Sequence, residues 1–219
     1  MMLSCRYSPA YRAVYDLVQR GVLGRIVHLA SFGPHRLRPE TRGPWMLSDA
    51  QSGGALVDIG IHYLDLLRWY TGEEAVSVAA SQGNLRFPQL DGFTDHGHAL
   101  LTFPGGATGY ASVDWLTPDA ATFHGDYRLF VTGTRGSCEL RPVAPMRLTL
   151  VTDDQPPHDV ALPPPGPTPG STASRDFVEA LRDGRRPELS AEDVLGASAL
   201  TLHARDAAAT GTIVRPTVT

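Results

Sequence analysis

Three side chains suited to proton transfer lie close together in one otherwise apolar stretch of the sequence. Asp58, His62 and Asp65 belong to SGGALVDIGIHYLDLLRWYTG, residues 52–72. Residues three and four apart on a helix lie one turn from each other, so these side chains should share a face. Histidine titrates near neutral pH, and a neighbouring carboxylate should fix its tautomer and raise its pKa. We therefore expect His62, paired with Asp58, to accept the proton of a substrate hydroxyl.

The spacing predicts a single two-faced helix over residues 54–71. The packing face should hold the apolar side chains Leu56, Ile59, Tyr63, Leu66, Leu67 and Tyr70. The opposite face should hold Asp58, His62, Asp65 and Trp69. A solvated Asp–His surface pair is the alternative interpretation. Two features argue against it: Trp69 is unusual on a water-facing stripe, and Gly53 with Gly54 would let a ligand approach the backbone closely.

The elements around this helix predict an α+β fold. A helix capped by Ser8 precedes a strand in GRIVHLASFGPHR, and an arginine-rich loop, residues 34–44, leads to GPWM. After Gly72, a run of consecutive strands joined by glycine turns argues for a largely antiparallel or mixed sheet. Two helices follow, about 172–183 and from Ser190 to about 209, and TIVRP should form a short closing strand. The helices should cover one face of the sheet.

Composition excludes several classes of function. Hydrophobic residues make up 42% of the 219, the formal net charge is −4, and no long run of one charge occurs, so neither nucleic acid nor a membrane is an expected partner. No apolar run approaches the roughly 20 residues that span a bilayer. Two cysteines indicate a reduced, cytoplasmic protein. The sequence contains no lysine, so all 19 basic residues are arginines.

Other chemical motifs are weak or missing. His96 and His98, after Asp95, have a spacing found in metal sites, but no third ligand is evident, so we expect a polar sheet face and no metal. No strand–GxGxxG–helix unit and no GxxxxGK[ST] loop is present, which leaves the chain without a recognisable nucleotide-binding motif. The absence of GxSxG argues against a serine hydrolase.

The helix sequence resembles a family motif. SGGALVDIGIHYLDLLRW is similar to GGG-x-x-x-D-x-G-x-H-x-x-D of the Gfo/Idh/MocA oxidoreductases, with Ser52 in place of the first glycine. The matching residues are Gly53, Gly54, Asp58, Gly60, His62 and Asp65. CRYSPAYRAVYDLVQRGVLGRIVHLASF looks like the crossover between the two domains of that family, and PWM matches a tryptophan often seen there. LTFPGGATGYASVDW and YRLFVTGTRGSCELRP look like its sheet hairpins, so the resemblance covers essentially the whole chain.

The resemblance implies an enzyme whose two domains have different roles. A Rossmann domain would bind NAD or NADP, and a following α+β domain would contact a sugar, polyol or similar carbinol and form a dimer or tetramer through its sheet. His62 would be the general acid/base, and Asp58 would orient it or bind substrate. Asp65 would be a supporting, more structural residue of the helix and is also a candidate for substrate contact. The further candidates for substrate contact are Trp45, Arg42, Gly53 and Gly54.

This chain departs from the family pattern. It has no E-K-P motif with the catalytic lysine and no Rossmann fingerprint. Residues 1–7 are expected to be a remnant of the last strand of that domain, and 8–219 a single substrate and oligomerisation domain. NAD(P) binding and activity are therefore not expected of the isolated chain. Three explanations stay open: a truncated gene or misassigned start, a separately encoded dinucleotide-binding domain, or a free-standing domain kept for binding or assembly.

Overall fold

One mixed sheet of eight strands forms the centre of the computed structural model, which describes residues 3–164 and 166–216. The strands are β1 (Ile26–Pro34), β2 (Ser77–Gly83), β3 (His96–Thr102), β4 (Thr108–Asp114), β5 (Arg128–Gly133), β6 (Gly136–Arg141), β7 (Arg147–Thr152) and β8 (Gln155–Asp159). Their order is β2-β3-β4-β1-β5-β6-β7-β8. β1 runs parallel to β4, and all other neighbours are antiparallel. The predicted α+β class with a mixed sheet is confirmed.

Six α-helices accompany the sheet in the described residues. They are α1 (Pro9–Gln19), α2 (Asp49–Ser52), α3 (Ala55–Asp58), α4 (Gly60–Thr71), α5 (Pro169–Asp183) and α6 (Ala191–Thr210). α4 packs on β1 and β4 at the middle of the sheet, and α6 packs on α4 and β2. Gly33 on β1 makes the close approach of α4 feasible, because a Cβ there would lie 2.0 Å from the ring of Tyr63.

Alternation along the strands separates a covered face from an open one. On β1, Leu29 and Ser31 are buried towards the helices, whereas His28 is exposed on the other side. Leu100 on β3 and Phe130 on β5 are 52% and 37% exposed on that same open side, which no helix covers within the described residues. The helices therefore lie on one face, as predicted.

The predicted helix over 54–71 is divided. α3 ends at Asp58 and α4 begins at Gly60, with Ile59 (φ −104°, ψ −34°) between them. At the break the amide of His62 donates to the carbonyl of Ile59, 3.2 Å away and only three residues earlier. Asp58 and His62 consequently lie on two short helices rather than on one continuous face.

The prediction of a polar outer face on this helix is wrong for Asp65 and Trp69. Nearly all of α4 is buried, because α6 and the N-terminal segment cover the side that the sheet leaves free. Trp69 is 7% exposed and stacks on Tyr15 with ring centroids 4.0 Å apart. It is a core residue and not part of a ligand-facing stripe.

Smaller differences occur at the ends of the chain. Ser4–Tyr7 form a 3₁₀ helix and not the expected remnant strand; residues 1 and 2 lie outside the described residues. The closing strand in TIVRP reduces to one bridge between Val78 and Val214. The capping box at the start of α6 is confirmed, with Ser190 and Asp193 each bonding the backbone of the other.

Candidate functional site

His62 lies in the first turn of α4, next to Tyr63, which covers Gly33 at the end of β1. Its Nδ1 is buried and has no hydrogen-bond partner among the described residues. Burial lowers the pKa of His62, and the charges of Asp65 and Asp58 only partly offset this. The expectation of a raised pKa is therefore wrong, because desolvation of the imidazolium outweighs the two carboxylates. The imidazole is neutral at neutral pH.

Asp58 is a charged neighbour of His62 rather than its hydrogen-bonded partner. No hydrogen bond joins the two side chains in the part of the chain that the structure describes, because the helix break at Ile59 separates them. Burial raises the pKa of Asp58, and the charges of Arg42 and His62 act in the opposite direction. Asp58 thus contributes to the potential at His62 without fixing its tautomer through a bond.

Arg42 is brought to this cluster by the loop after β1. Its Nε donates to the carbonyl of Leu37 at 2.5 Å, and its guanidinium carbon lies 4.2 Å from the ring centroid of Trp115. It also interacts electrostatically with Asp58. The sequence-based choice of Arg42 as a site residue therefore agrees with its position, although substrate contact stays a prediction.

Two histidines that the motif did not reveal complete the cluster. The His35 ring lies 5.0 Å from that of His124 and 5.6 Å from that of Trp115, between centroids. His35 Nδ1 is 2.9 Å from the carbonyl of Gly33, so in the neutral ring Nδ1–H donates and Nε2 keeps its lone pair. Burial lowers the pKa of His35 to about 4, and His62 is among the charges that act on it.

A loop contact explains why His124 was missed. Its position beside a strand end indicates only a loop, but Arg36 fixes that loop by donating to the carbonyls of Ala121 and Phe123. Arg36 is itself 7% exposed and directly follows His35. For His35, the sequence signal was the Pro-His-Arg sequence at the end of β1, since polar side chains at strand ends often form sites.

Asp65 does not reach this cluster. Its side chain is fully buried and binds Arg6 through both oxygens, with Arg6 Nη2 at 2.6 Å and Nε at 2.9 Å. Arg68 lies 3.5 Å from the same carboxylate. A substrate contact through Asp65 is therefore wrong for this structure, and the residue joins the N-terminal segment to α4.

Gly53 and Gly54 have conformational roles in this structure, and substrate contact by them stays a prediction. Gly53 (φ +86°) ends α2, and Gly54 (φ +81°) precedes α3, so both adopt conformations that disfavour a side chain. A Cβ at Gly54 would lie 2.7 Å from the hydroxyl of Thr94. These constraints account for both glycines without a ligand. Trp45 is 54% exposed and makes no ring contact with the cluster among the described residues, so its role in the pocket stays a prediction.

Two clefts in the described residues lie away from the histidine cluster. One of about 480 Å³ lies beside Trp69 and Arg68, and another of about 510 Å³ lies between α1 and residues 160–163. In residues 3–164 and 166–216 no helix is long and apolar enough to cross a membrane.

The described residues form neither a metal site nor a dinucleotide site. They contain no group of three His, Cys, Asp or Glu side chains placed to hold a metal ion. His96 Nδ1 instead lies 2.6 Å from the carboxylate of Asp95. No parallel strand in the described part of the chain leads through a glycine-rich turn into a helix N-terminus, so these residues do not fit a dinucleotide.

Known proteins resemble this chain over most of its length. A family model described as the GFO/IDH/MocA C-terminal domain matches residues 11–139. The scyllo-inositol 2-dehydrogenase (NAD(+)) of Bacillus subtilis (strain 168) is 25% identical over 188 residues, which are 83% of this chain and 52% of that protein. The chain therefore spans about half the length of this curated relative.

Solved structures have the same fold. Aldose-aldose oxidoreductase from Caulobacter crescentus, complexed with glycerol, matches with a TM-score of 0.81 and 25% identity over 99% of this chain and 64% of its own. Myo-inositol 2-dehydrogenase from Lactobacillus plantarum matches with a TM-score of 0.75 and 26% identity over 98% of this chain and 64% of its own.

Proposed function

Because this chain belongs to the GFO/IDH/MocA family of oxidoreductases, we propose that it is the substrate-binding and proton-transfer domain of an NAD(P)-dependent enzyme. Its substrate is a sugar, a polyol or a similar carbinol, in line with the inositol and aldose enzymes that resemble it. The observation that supports this most directly is the neutral, largely buried imidazole of His62 near Asp58, whose carboxylate also interacts with Arg42.

A neutral imidazole is the form that accepts a proton. Because burial lowers the pKa of His62, the ring is unprotonated at neutral pH and ready to take the proton of a carbinol hydroxyl. The imidazolium formed would then be stabilised by the nearby carboxylate of Asp58. The chain's own residues account only for the substrate and proton side of the reaction.

We expect residues 1–219 alone to show no NAD(P)-dependent oxidation of a polyol. The chain contains no lysine to polarise the reacting oxygen, and such a fixed donor is worth on the order of several kcal/mol. A separately produced dinucleotide-binding domain is the partner that would restore the reaction. Reduction of NAD(P)⁺ by the purified chain with any polyol would contradict this expectation.

The test of the proposed function joins the chain to the dinucleotide-binding domain of a relative. Replacing His62 by Asn in this fusion should lower turnover by about 10²- to 10⁴-fold, the usual range for a general base, with little change in KM. His28→Asn on the exposed side of β1 is the matched control and should leave turnover unchanged. Equal turnover of the His62→Asn variant and the unmodified fusion would exclude His62 as the base.

The open sheet face supports a second proposal, a homo-oligomer with two or four subunits. The rings of Phe32 and Tyr110 lie 5.8 Å apart and those of Phe32 and Phe130 6.1 Å, next to exposed Leu100, which makes an apolar patch at the centre of the face. A free-standing, non-catalytic assembly domain would use the same patch. A monomer in light scattering at micromolar concentration would contradict assembly through it.

The compartment that fits this chain is the cytoplasm. Cys5 and Cys138 are unpaired thiols, and burial raises the pKa of each to about 12, so neither is a reactive thiolate. Finding the protein in a cytoplasmic fraction with both thiols reduced would support this assignment.

A further inference from the structure

Arg42 holds a positive charge near Asp58, the carboxylate that also neighbours His62, and in the described part of the chain no acidic side chain lies at ion-pair distance from it. Its Nε is engaged by the Leu37 carbonyl and its plane rests on Trp115, which is 5% exposed. Within the described residues no carboxylate lies at ion-pair distance from Arg42, and its two terminal nitrogens have no hydrogen-bond acceptor. The guanidinium is thus oriented and half-buried, with its fork free.

The charges around this fork are mostly positive. Arg36 and Arg38, like Arg42, act on His124, and burial lowers the pKa of that histidine as well. Asp58 is the acid whose charge acts on Arg42 among the described residues. His35 and His62 are neutral because burial lowers their pKa values, so they do not add to the positive charge at neutral pH. The electrostatic environment of the site therefore favours the binding of one more negative charge.

We infer that Arg42 binds a carboxylate of the substrate, so that the carbinol presented to His62 belongs to an acidic sugar or polyol. This inference rests on the proposed function and names its substrate class. A guanidinium fork matches a carboxylate with two parallel hydrogen bonds, and a side chain already held in place loses little freedom on binding. Asp58 nearby disfavours a dianion, which makes a carboxylate a better fit than a phosphate monoester.

The geometry also explains why arginine stands at this position. Trp115 offers its ring face at 4.2 Å, and His35 packs against the same tryptophan at 5.6 Å. A planar cation stacks on such a face while its edge stays free for a ligand, whereas a lysine ammonium has neither the plane nor the fork. The orientation of Arg42 is therefore set by the core of the domain.

The experiment measures binding to the chain itself, without a nicotinamide. Matched sugars that differ only at C6 are compared: D-glucuronate with D-glucose, and D-galacturonate with D-galactose. Affinities come from calorimetry, and the imidazole signals of His62 and His35 are followed by NMR. At least one acid should bind about tenfold more tightly than its neutral counterpart, as expected for a charge-assisted pair. Arg42→Gln should abolish this preference.

A control and a second variant keep the result interpretable. Arg25→Gln removes the same charge at the far end of β1, where the Arg25 side chain is exposed, and should keep the preference. If Arg42→Gln does not fold, as judged by circular dichroism, Arg42→Lys serves instead. It keeps the charge but loses the fork, and should reduce the preference severalfold. An undiminished preference in the lysine variant would overturn the two-bond geometry.

The outcomes separate this inference from the proposed function. Equal affinity for acid and neutral sugars, with the His62 signal shifted by both, would overturn the carboxylate inference and leave the proposed function supported. An Arg42-dependent acid preference without a shift of the His62 signal would support the anion site and count against the function. Tighter binding of D-glucose 6-phosphate than of either uronate would overturn the carboxylate assignment. Absence of binding by all of these sugars would overturn the inference.

Discussion

His62 lies close enough to His35 to act on its titration, although His35 directly follows β1 and His62 lies in the first turn of α4. Their pKa values are lowered mainly because the charged imidazole loses its hydration on burial. The hydrogen bond from His35 Nδ1 to the Gly33 carbonyl fixes one tautomer. The two rings thus differ in role: His62 has an unpartnered buried Nδ1, whereas His35 is anchored.

The anchored ring makes the stability of the fold depend on pH. The pKa of His35 falls from 6.5 to about 4 on folding. Between about pH 4 and pH 6.5, the His35 side chain therefore binds a proton in the unfolded chain but not in the native chain. Stability is full above pH 6.5 and decreases as the pH falls towards 4, by about 3 kcal/mol at most. Denaturant unfolding of wild type and His35→Gln across this pH range should show that the free energy of unfolding changes with pH more steeply in wild type than in the variant.

A matched substitution checks that prediction. His28→Gln changes an exposed histidine on the same strand and should leave the wild-type slope in place. Identical pH profiles for wild type and His35→Gln would show that His35 titrates in the native protein as it does in the unfolded chain.

At the scale of elements, the turn before α3 aligns the short helix that positions Asp58. Gly54 has φ +81°, and a Cβ there would meet the Thr94 hydroxyl at 2.7 Å and the Asp49 carboxylate at 2.9 Å. The Thr94 hydroxyl also accepts a hydrogen bond from the amide of Ala55, the first residue of α3. Gly54→Ala should therefore lower the free energy of unfolding by about 2 to 4 kcal/mol, through strain and loss of these contacts.

Gly92 provides the control for this substitution. It also has a positive φ (+65°), but a Cβ there would meet nothing within 4 Å. Gly92→Ala should lower the free energy of unfolding by only about 1 kcal/mol, because it adds backbone strain without a steric clash. Equal losses in the two variants, measured by chemical denaturation, would show that the contacts with Thr94 and Asp49 do not matter.

The buried ion pair between Arg6 and Asp65 joins the N-terminal segment to α4. Arg6 also lies 3.2 Å from Asp193 at the start of α6, so three elements meet at one guanidinium. Asp65→Asn should lower the free energy of unfolding by about 3 kcal/mol, because the buried Arg6 loses the carboxylate that binds it through both oxygens and keeps only its contact with Asp193. The double variant with Arg6→Met and Asp65→Leu should be more stable than Asp65→Asn alone.

An exposed pair is the comparison for the buried one. Arg205 and Asp206 lie 2.8 Å apart on the surface of α6, with side chains 43% and 52% exposed. Asp206→Asn should change stability by less than about 1 kcal/mol, as surface pairs do.

For the buried pair, the losses of stability in the single Arg6 and Asp65 variants should not add up in the double variant. Additive losses would contradict a coupled buried pair.

For the whole molecule, the proposed association of copies of the chain involves the sheet face that no helix covers in the described residues. Phe130→Glu and Leu100→Glu place charges in the apolar patch and should convert the proposed oligomer to monomer in light scattering. Their melting temperature should also lose its dependence on protein concentration. Leu181→Glu changes a leucine that is 68% exposed on α5, outside the sheet, and should leave the assembly intact. Dissociation in the Leu181 variant alone would place the interface elsewhere.

Much of the fold was predictable because it depends on local patterns. Alternation identified the strands, and the cap at Ser190 marked the start of α6. The prolines in β8 and the 3₁₀ helix at Ser4–Tyr7 were not predictable, since edge position and packing on α5 decide them. The helix wheel also failed for Asp65, because a wheel shows angular position but not what covers each face.

The sequence by itself determined most strand and helix types and the family motif, and it predicted His62, Asp58 and Arg42 as candidate site residues. These depend on spacing along the chain. Only the tertiary structure decided that His35 and His124 join them, that Asp65 is paired with Arg6, and that the pKa of His62 is lowered. The physical reason is that burial and contacts between residues far apart in sequence set charge states, and neither is a property of local spacing.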